Sequence, residues 1–504
     1  MSTEEFAPLF RACGTTTDLD QLIETQQQAL TLALYTLDVH SPAGLQQAYR
    51  CYTAFTTCPP YEEQQASWQF TSPVAQAQLL FATVFERAGS FNLIEVDVLP
   101  PTSSITLRLR AQRLFNNLLN IQRDYTAVFR EVMDLLLRAQ FEGEADHTIA
   151  VTQVAHNFLE QGHRQLQQYN FLTEDVAFCN LFRDPTHQQS YSFLQHPALA
   201  ELLAGRTGGS LLIRPADAAT VLFPTAFIQD IFRRHILNPV NQDPRTRGHA
   251  APLGYSSADI RAHILEYGKA DFAVECRTVS PPAAPADRVL LYCYYNLRKH
   301  FFTSRYVFGQ LIDSLPSLLA TSGSHPVFLD LGCGPMTSAL ALADLYGERF
   351  NQPLPIRYVG VDIAQAMLDK ARTFETSGLF ADGSHFTYFT RWADALGTLV
   401  EQIQVTNPVI INASYLFASS SLNPMNLAVF VHELRRQCPV AKMYFLFQNP
   451  NRTDRNAKYY AWRQEISFAH SLVHTTQSVY YQTSSFGTPS EEEVTYELLA
   501  FQPS

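Results

Sequence analysis

Residues 327–345 read VFLDLGCGPMTSALALADL. An apolar run ends in Asp330, Gly332 and Gly334, and a helical pattern follows at once. Glycine at such points lets the backbone turn tightly and come close to a ligand. The start of the next helix adds free N–H groups and the positive end of its dipole. Strand, glycine loop and helix together make the usual nucleotide-binding entry of an open α/β sheet.

Two features separate this stretch from a dinucleotide site. The pattern is D-x-G-x-G, and Thr337 stands where G-x-G-x-x-G has its third glycine. A carboxylate in that loop repels a pyrophosphate and suits a cationic amino-acid end. The second feature is YVGVDIAQAMLDKA at 358–371, a strand ending in Asp362. A carboxylate there can accept both hydroxyls of a ribose, and the 32 residues from Asp330 to Asp362 suit one βαβ unit.

Outward from this pair, short apolar runs alternate with helical patterns. The runs are VFLDLGC (327–333), RYVGVDI (357–363), FTYFTRWAD (386–394), PVIINASYLF (408–417), VAKMYFLFQ (440–448), TTQSVYYQ (475–482) and VTYELLAFQ (494–502). Helical patterns between the first five imply βαβ units and a largely parallel sheet. SSFGTPSEEE joins the last two, which suits an antiparallel hairpin at one edge. The expected fold is α/β, a Rossmann-like seven-stranded sheet with a C-terminal β-hairpin, preceded by a mainly α-helical N-terminal domain.

The N-terminal part has helical periodicity. Tyr125, Val128, Phe129, Val132, Met133 and Leu136 fall on one helix face. Thr148 reads as an N-cap, followed by Val151, Val154, Ala155, Phe158 and Leu159 in the same rhythm. Leu22–Leu37, Val74–Phe85 and Leu107–Ile121 also read as helices, and Ile94–Leu99 and Ser210–Ile213 as short β-like runs. Residues 238–256 read as a loop, and Ser256 with Asp259 as a capping box opening a helix through Tyr267. Residues 280–287, SPPAAPAD, carry adjacent prolines that fit neither a helix interior nor a central strand. The expected division is a domain of 1–279, a linker of 280–287 and a domain of 288–504.

DLGCGP followed by GVDIAQAML resembles the first and second motifs of the class I S-adenosylmethionine-dependent methyltransferases. The resemblance covers about 288–504, and the order of the strands is similar too. It implies methyl transfer with S-adenosyl-L-methionine as cofactor and leaves the acceptor open. By that resemblance Asp330, Gly332 and Gly334 lie near the methionine part of the cofactor. Asp362 takes the ribose, Ile363 and Met367 flank the adenine, and Asp394-Ala395 meets the adenine amine. Asp394 read alone is equally a helix N-cap. The chain departs from the pattern at Pro335-Met336, where many members have a third glycine.

The fourth strand ends in Asn412-Ala413-Ser414-Tyr415, the end that faces methyl group and acceptor in this superfamily. Asn412 can accept from an acceptor amine and Tyr415 can stack on a flat substrate; a satisfied polar strand end is the plainer reading. N-x-x-Y is faintly similar to the N-P-P-Y of amino-methylating nucleic-acid enzymes, without its prolines. Upstream, YCYYNLRKHFFTSRY (292–306) offers a lid or acceptor contacts: Tyr294, Tyr295, Arg298, and His300 as general base. The alternative is an amphipathic helix docking the N-terminal domain. Asn449, after the fifth strand, is a further lining candidate.

The composition sets outer bounds. With 504 residues, two or three domains are expected. No window approaches 18 consecutive apolar residues, and MSTEEFAPLF lacks a secretory pattern, so a cytoplasmic protein with no membrane contact is expected. Eight cysteines, at 13, 51, 58, 179, 276, 293, 333 and 438, form no C-x-x-C pair and no zinc spacing with histidine. Free thiols and no metal follow. The net charge of −11 gives no global attraction for nucleic acid. A local basic groove past Tyr415, lined by Arg298, Lys299 and Arg305, would point to a nucleic-acid acceptor, and a closed aromatic cavity to a small molecule. The N-terminal domain is a candidate for selecting substrate or a protein partner. G-x-S-x-G, P-loop and zinc patterns are absent from the sequence. The competing class is a binding or regulatory protein on the same scaffold, which a pocket filled by Met336 or Trp392 would favour.

Overall fold

The computed structural model describes residues 1–61, 72–116, 125–140, 147–168, 171–204, 221–247, 251–266, 270–312, 326–403, 408–439, 441–482 and 489–501. The chain divides into two compact units: 1–223 with 480–491, and 224–479 with 492–504.

Among the described residues there are eight strands: β1 Val221–Leu222, β2 Val327–Leu331, β3 Arg357–Val361, β4 His385–Phe389, β5 Val409–Ser414, β6 Met443–Pro450, β7 Ala469–Tyr481 and β8 Ser490–Phe501. Their order is β1-β7-β8-β6-β5-β2-β3-β4. β4, β3, β2, β5 and β6 are mutually parallel, and β8 runs antiparallel to β6. The last two strands are neighbours, as the short connection implies. They do not form the sheet edge, because β1 adds two residues beside Tyr480 and Tyr481.

The central strands are apolar on both sides because helices cover both faces. Val327, Leu329 and Leu331 point to one core with Val359, Val361, Ile411, Phe445 and Phe447. Leu427, Val431 and Leu434 of the helix Pro424–Gln437 and Trp462 of Thr453–Glu465 close that face. Phe328 and Tyr358 point to the other side, where Phe308 of the helix Arg298–Leu311 meets Phe328 at 6.1 Å. Each fully buried side chain of this kind contributes about 1.5–3 kcal/mol.

The 280–287 segment is not a boundary. Cys276 and Ala283 pair across a tight turn, and both lie in a core with Tyr255, Ile260, Ile264 and Leu291. The prolines shape that turn, and Pro285 opens the helix Pro285–Tyr292 at a position where a missing N–H costs nothing. The division falls instead between Phe223 and Pro224.

In the first unit the helices Thr16–Tyr35, Pro73–Arg87, Ser104–Asn116, Tyr125–Gln140 and Thr148–Gln168 match the periodic segments. Ile94–Leu99 forms a 3-10 turn at Val96–Val98 instead of a strand; Ile94, Val96 and Leu99 are buried without a strand partner. Ser210–Ile213 and the end of the helix expected through Ile121 lie outside the described residues. Half of the Ser256–Asp259 capping box forms: Ser256 Oγ accepts from Asp259 N at 3.1 Å, and the two side chains bond directly at 2.7 Å. Its helix continues as a π turn, Ile260–Ile264. Among the described residues no helix is long and apolar enough to cross a membrane.

Candidate functional site

β2 ends in a loop whose backbone is left-handed at Gly332 (φ 65°), Gly334 (φ 50°) and Met336 (φ 63°). A Cβ on Gly332 would stand 2.8 Å from Leu416 Cδ1, the movable tip of a side chain just after β5, so it is the left-handed backbone that favours glycine here. A non-glycine residue in this conformation costs roughly 1–2 kcal/mol. Met336 is held there by a fully buried side chain and by its N–H donating to Cys333 O at 3.0 Å. The helix Thr337–Phe350 starts without a side-chain cap, leaving its first amides without that usual partner.

Asp362 ties β3 to this loop. Its Oδ2 accepts from Gly334 N at 3.0 Å and its Oδ1 from Ala364 N at 2.9 Å. Burial pushes its carboxyl up to about 6, against the pull of the two amides. Each oxygen keeps a second lone pair for a ligand hydroxyl. Ile363, next in sequence, is 59% exposed, which is unusual for an isoleucine at a strand end. Met367 is buried, with Sδ 4.0 Å from the Cβ position of Gly334. The carboxyl ends of β2 and β3 thus gather Gly332, Gly334, Asp362, Ile363 and Met367.

Asp330 faces away from that group. Its carboxylate is 1% exposed and accepts from Asn412 Nδ2 at 2.7 Å and Tyr358 OH at 3.0 Å. Burial pushes it up to about 7, and the two donors offset part of the effect. Asn412 in turn accepts from Ser414 Oγ at 2.9 Å. A buried carboxylate needs donors, and its register partner on β5 supplies one. Asp330 therefore does not present itself to a ligand, and Asn412 is a satisfied strand-end side chain. Tyr358 has no motif of its own; its role follows from the sheet register alone.

At the end of β5, Tyr415 adopts φ 61° and stacks on His300 with ring centroids 3.9 Å apart and planes at 24°. Its hydroxyl shares a 2.7 Å hydrogen bond with Thr303 Oγ1. His300 Nδ1 lies 2.8 Å from Tyr292 OH, and Tyr292 feels the negative charge of Asp362. Burial, reinforced by Lys299, holds His300 well below its ordinary range, so the imidazole is neutral. The structure brings together His300 and Tyr415, two residues far apart in sequence. It adds Tyr292 and Thr303, which only their spacing from His300 (i−8 and i+3) along the helical stretch could have suggested.

The other expected residues lie elsewhere. Strand β4 ends at Phe389, so Asp394 falls in the first turn of the helix Trp392–Gln402, paired with Arg391 by two 2.9 Å hydrogen bonds. Ala395 is fully buried in the core beneath it. Trp392 stacks on Phe430. Tyr294 and Tyr295 pack edge to face at 5.0 Å, and buried Arg298 donates to Tyr294 O at 3.3 Å. Asn449 is fully buried and donates to Arg455 O. Arg305 pairs with Asp344 at 2.6 Å and with Glu348, and Lys299 lies 3.8 Å from Glu492. These contacts turn the three expected groove cations inward.

No family model and no curated protein matches the sequence. Among solved structures, the chain is similar to magnesium protoporphyrin IX methyltransferase from Synechocystis PCC 6803 with bound SAM. The identity is 13%, the match covers 49% of this chain and 91% of that one, and the TM-score is 0.26. It is also similar to precorrin-6y C5,15-methyltransferase from Geobacter metallireducens GS-15, at 11% identity over 38% of this chain and 89% of that one, TM-score 0.25. A SAM-dependent methyltransferase from Anabaena variabilis ATCC 29413 is similar at 10% identity over 41% of this chain and 96% of that one, TM-score 0.26. The likeness is partial, and in each case it covers less than half of this chain.

Proposed function

We propose that this chain binds S-adenosylmethionine at the carboxyl ends of β2 and β3 and directs its methyl group to an acceptor near Tyr415. One observation carries the reading: Asp362 holds the glycine loop through the Gly334 amide and keeps lone pairs for a ribose, with exposed Ile363 beside it. The residues fit the cofactor. Gly332 and Gly334 leave backbone room for its amino-acid end, Asp362 takes the ribose hydroxyls, and Ile363 and Met367 flank the base. The bound group supplies an already activated methyl, so positioning contributes much of the rate.

His300 and Tyr415 act as positioning groups in this reading. A neutral, buried imidazole stacked on a phenol presents a fixed wall and lacks the proton affinity of a strong base at neutral pH. Arg298, Lys299 and Arg305 are buried or paired, which supports a protein or small-molecule acceptor over nucleic acid. A second reading, a scaffold without turnover, draws on fully buried Met336 where many relatives of this motif have glycine.

Isothermal titration with S-adenosylmethionine tests both readings, with Asp362→Ala as control. Micromolar binding lost in the folded variant supports the enzyme. Absence of binding by the folded wild type sinks it and leaves the scaffold.

A further inference from the structure

The first unit places three metal-ligating side chains together that the sequence keeps apart. His163 lies on the helix Thr148–Gln168, and Asp175 and Cys179 lie one turn apart on Leu172–Arg183. His163 Nδ1 is 2.7 Å from Asp175 Oδ1 and 3.7 Å from Cys179 Sγ. Cys179 Sγ is 3.6 Å from the same Asp175 oxygen. Among the described residues this is the one group of three such ligands whose donor atoms all lie within 4.8 Å of one another.

The geometry points to a binding site for a thiophilic divalent transition-metal ion, Zn²⁺ by ligand chemistry, held by His163 Nδ1, Asp175 Oδ1 and Cys179 Sγ. Ordinary zinc bond lengths at a tetrahedral angle put a sulfur and a nitrogen about 3.6 Å apart, a sulfur and an oxygen about 3.6 Å, and a nitrogen and an oxygen about 3.4 Å. Both sulfur separations already match. Only the His163–Asp175 contact must open, by about 0.7 Å, as its hydrogen bond gives way to two metal bonds. On binding, the Cys179 thiol gives up its proton to solvent and the thiolate becomes the ligand.

The surroundings suit such a site. Gly162 lets the two helices approach: a Cβ there would stand 2.8 Å from Phe178 Cζ. That closeness sets His163 against the next helix. Gln167 Nε2 donates to the other Asp175 oxygen at 3.2 Å, an outer contact of the kind that orients a ligating carboxylate. The His163 side chain is 37% exposed while that of Asp175 is 8% exposed, so solvent reaches the site and an ion has an entry path. The mixed nitrogen, oxygen and sulfur set excludes calcium and magnesium, which prefer oxygen alone. The inference is independent of the methyl-transfer reading.

The test uses the full-length chain, freed of metal by a chelator and titrated with Co²⁺ alone. The expected result is saturation at one equivalent, with thiolate-to-cobalt charge-transfer absorption and the visible bands of a four-coordinate ion, both bleached by added Zn²⁺. Cys179→Ser loses the charge-transfer band, and His163→Ala binds at least about 10-fold more weakly. Cys276→Ser, a buried cysteine elsewhere, keeps both features. Absence of the absorption from folded wild-type protein overturns the site, as does a band that survives Cys179→Ser. Should Cys179→Ser not fold, the partly exposed His163→Ala decides, and undiminished affinity there overturns the proposal.

Discussion

Replacing Asp330 with asparagine should stabilise the protein at alkaline pH and leave it nearly unchanged at acid pH. The carboxyl is raised from its ordinary value near 3.9 to about 7 by burial. The folded chain therefore keeps this proton up to about pH 7, whereas the unfolded chain releases it near pH 4. Folding gains fully from the group below pH 4 and loses that gain as pH rises through 7. The whole difference is worth about 4 kcal/mol, and about 3 kcal/mol of it disappears between pH 5 and pH 8. The substituted asparagine would mimic the protonated acid. Its carbonyl takes the Asn412 amide, and its NH₂ faces the Tyr358 oxygen, which can accept. About 1.5 kcal/mol is already lost at pH 5, so Asp330→Asn should melt roughly 2–4 °C above wild type there and roughly 5–10 °C above it at pH 8. Thermal unfolding of both proteins at the two pH values measures this directly. A variant no more stable than wild type at pH 8 would refute the claim that a buried, costly carboxylate sits behind the glycine loop.

Gly332→Ala should destabilise the protein by about 1–2 kcal/mol, from its left-handed backbone, and should weaken S-adenosylmethionine binding; unchanged melting and affinity would refute the strain at this loop. Gly162→Ala should cost about 1–2 kcal/mol in a melt, because crowding of Phe178 outweighs a gain of about 1 kcal/mol in helix propensity. Tyr415→Phe removes the hydrogen bond to Thr303 and should cost about 1 kcal/mol without abolishing cofactor binding, as denaturation and titration will show. Because burial keeps His300 neutral, His300→Ala should lower a methyl-transfer rate by a similar factor across about pH 6 to 8; a pH limb near 6.5 that vanishes in the variant would overturn that assignment.

The part of the fold set by local pattern could be read from the chain. Five parallel strands fall on the expected runs, because central strands such as VFLDL and VIINAS are buried along their whole length and are apolar except at Asp330, Asn412 and Ser414. The boundary could not be read this way. SPPAAPAD has linker composition, yet its prolines shape a turn whose neighbours Cys276 and Ala283 lie in a core. Composition reports backbone preference, and only burial distinguishes a linker from a rigid turn. The inclusion of 480–491 in the first unit depends on long-range partners such as Tyr35, 6.5 Å from Tyr480, and carries no local signature.

The site divides along the same line. Glycines at a strand end and a carboxylate one βαβ unit later are visible because backbone conformation and chain length fix them. What a side chain faces is decided across the sheet. Asp330 and Asp362 look alike in sequence, each at the end of an apolar strand, and burial raises the carboxyl of both. One meets Asn412 and Tyr358 from neighbouring strands and is closed off; the other meets two loop amides and stays open to a ligand. Asp394 lies beyond a strand that ends five residues earlier, so its likeness to a strand-end acid is one of spacing only. His163, Asp175 and Cys179 make the same point in the first unit: their spacing matches no metal motif, and helix packing at Gly162 alone brings them together. A reading by motif finds the residues that shape the backbone, and it misses those whose chemistry depends on a partner from another element.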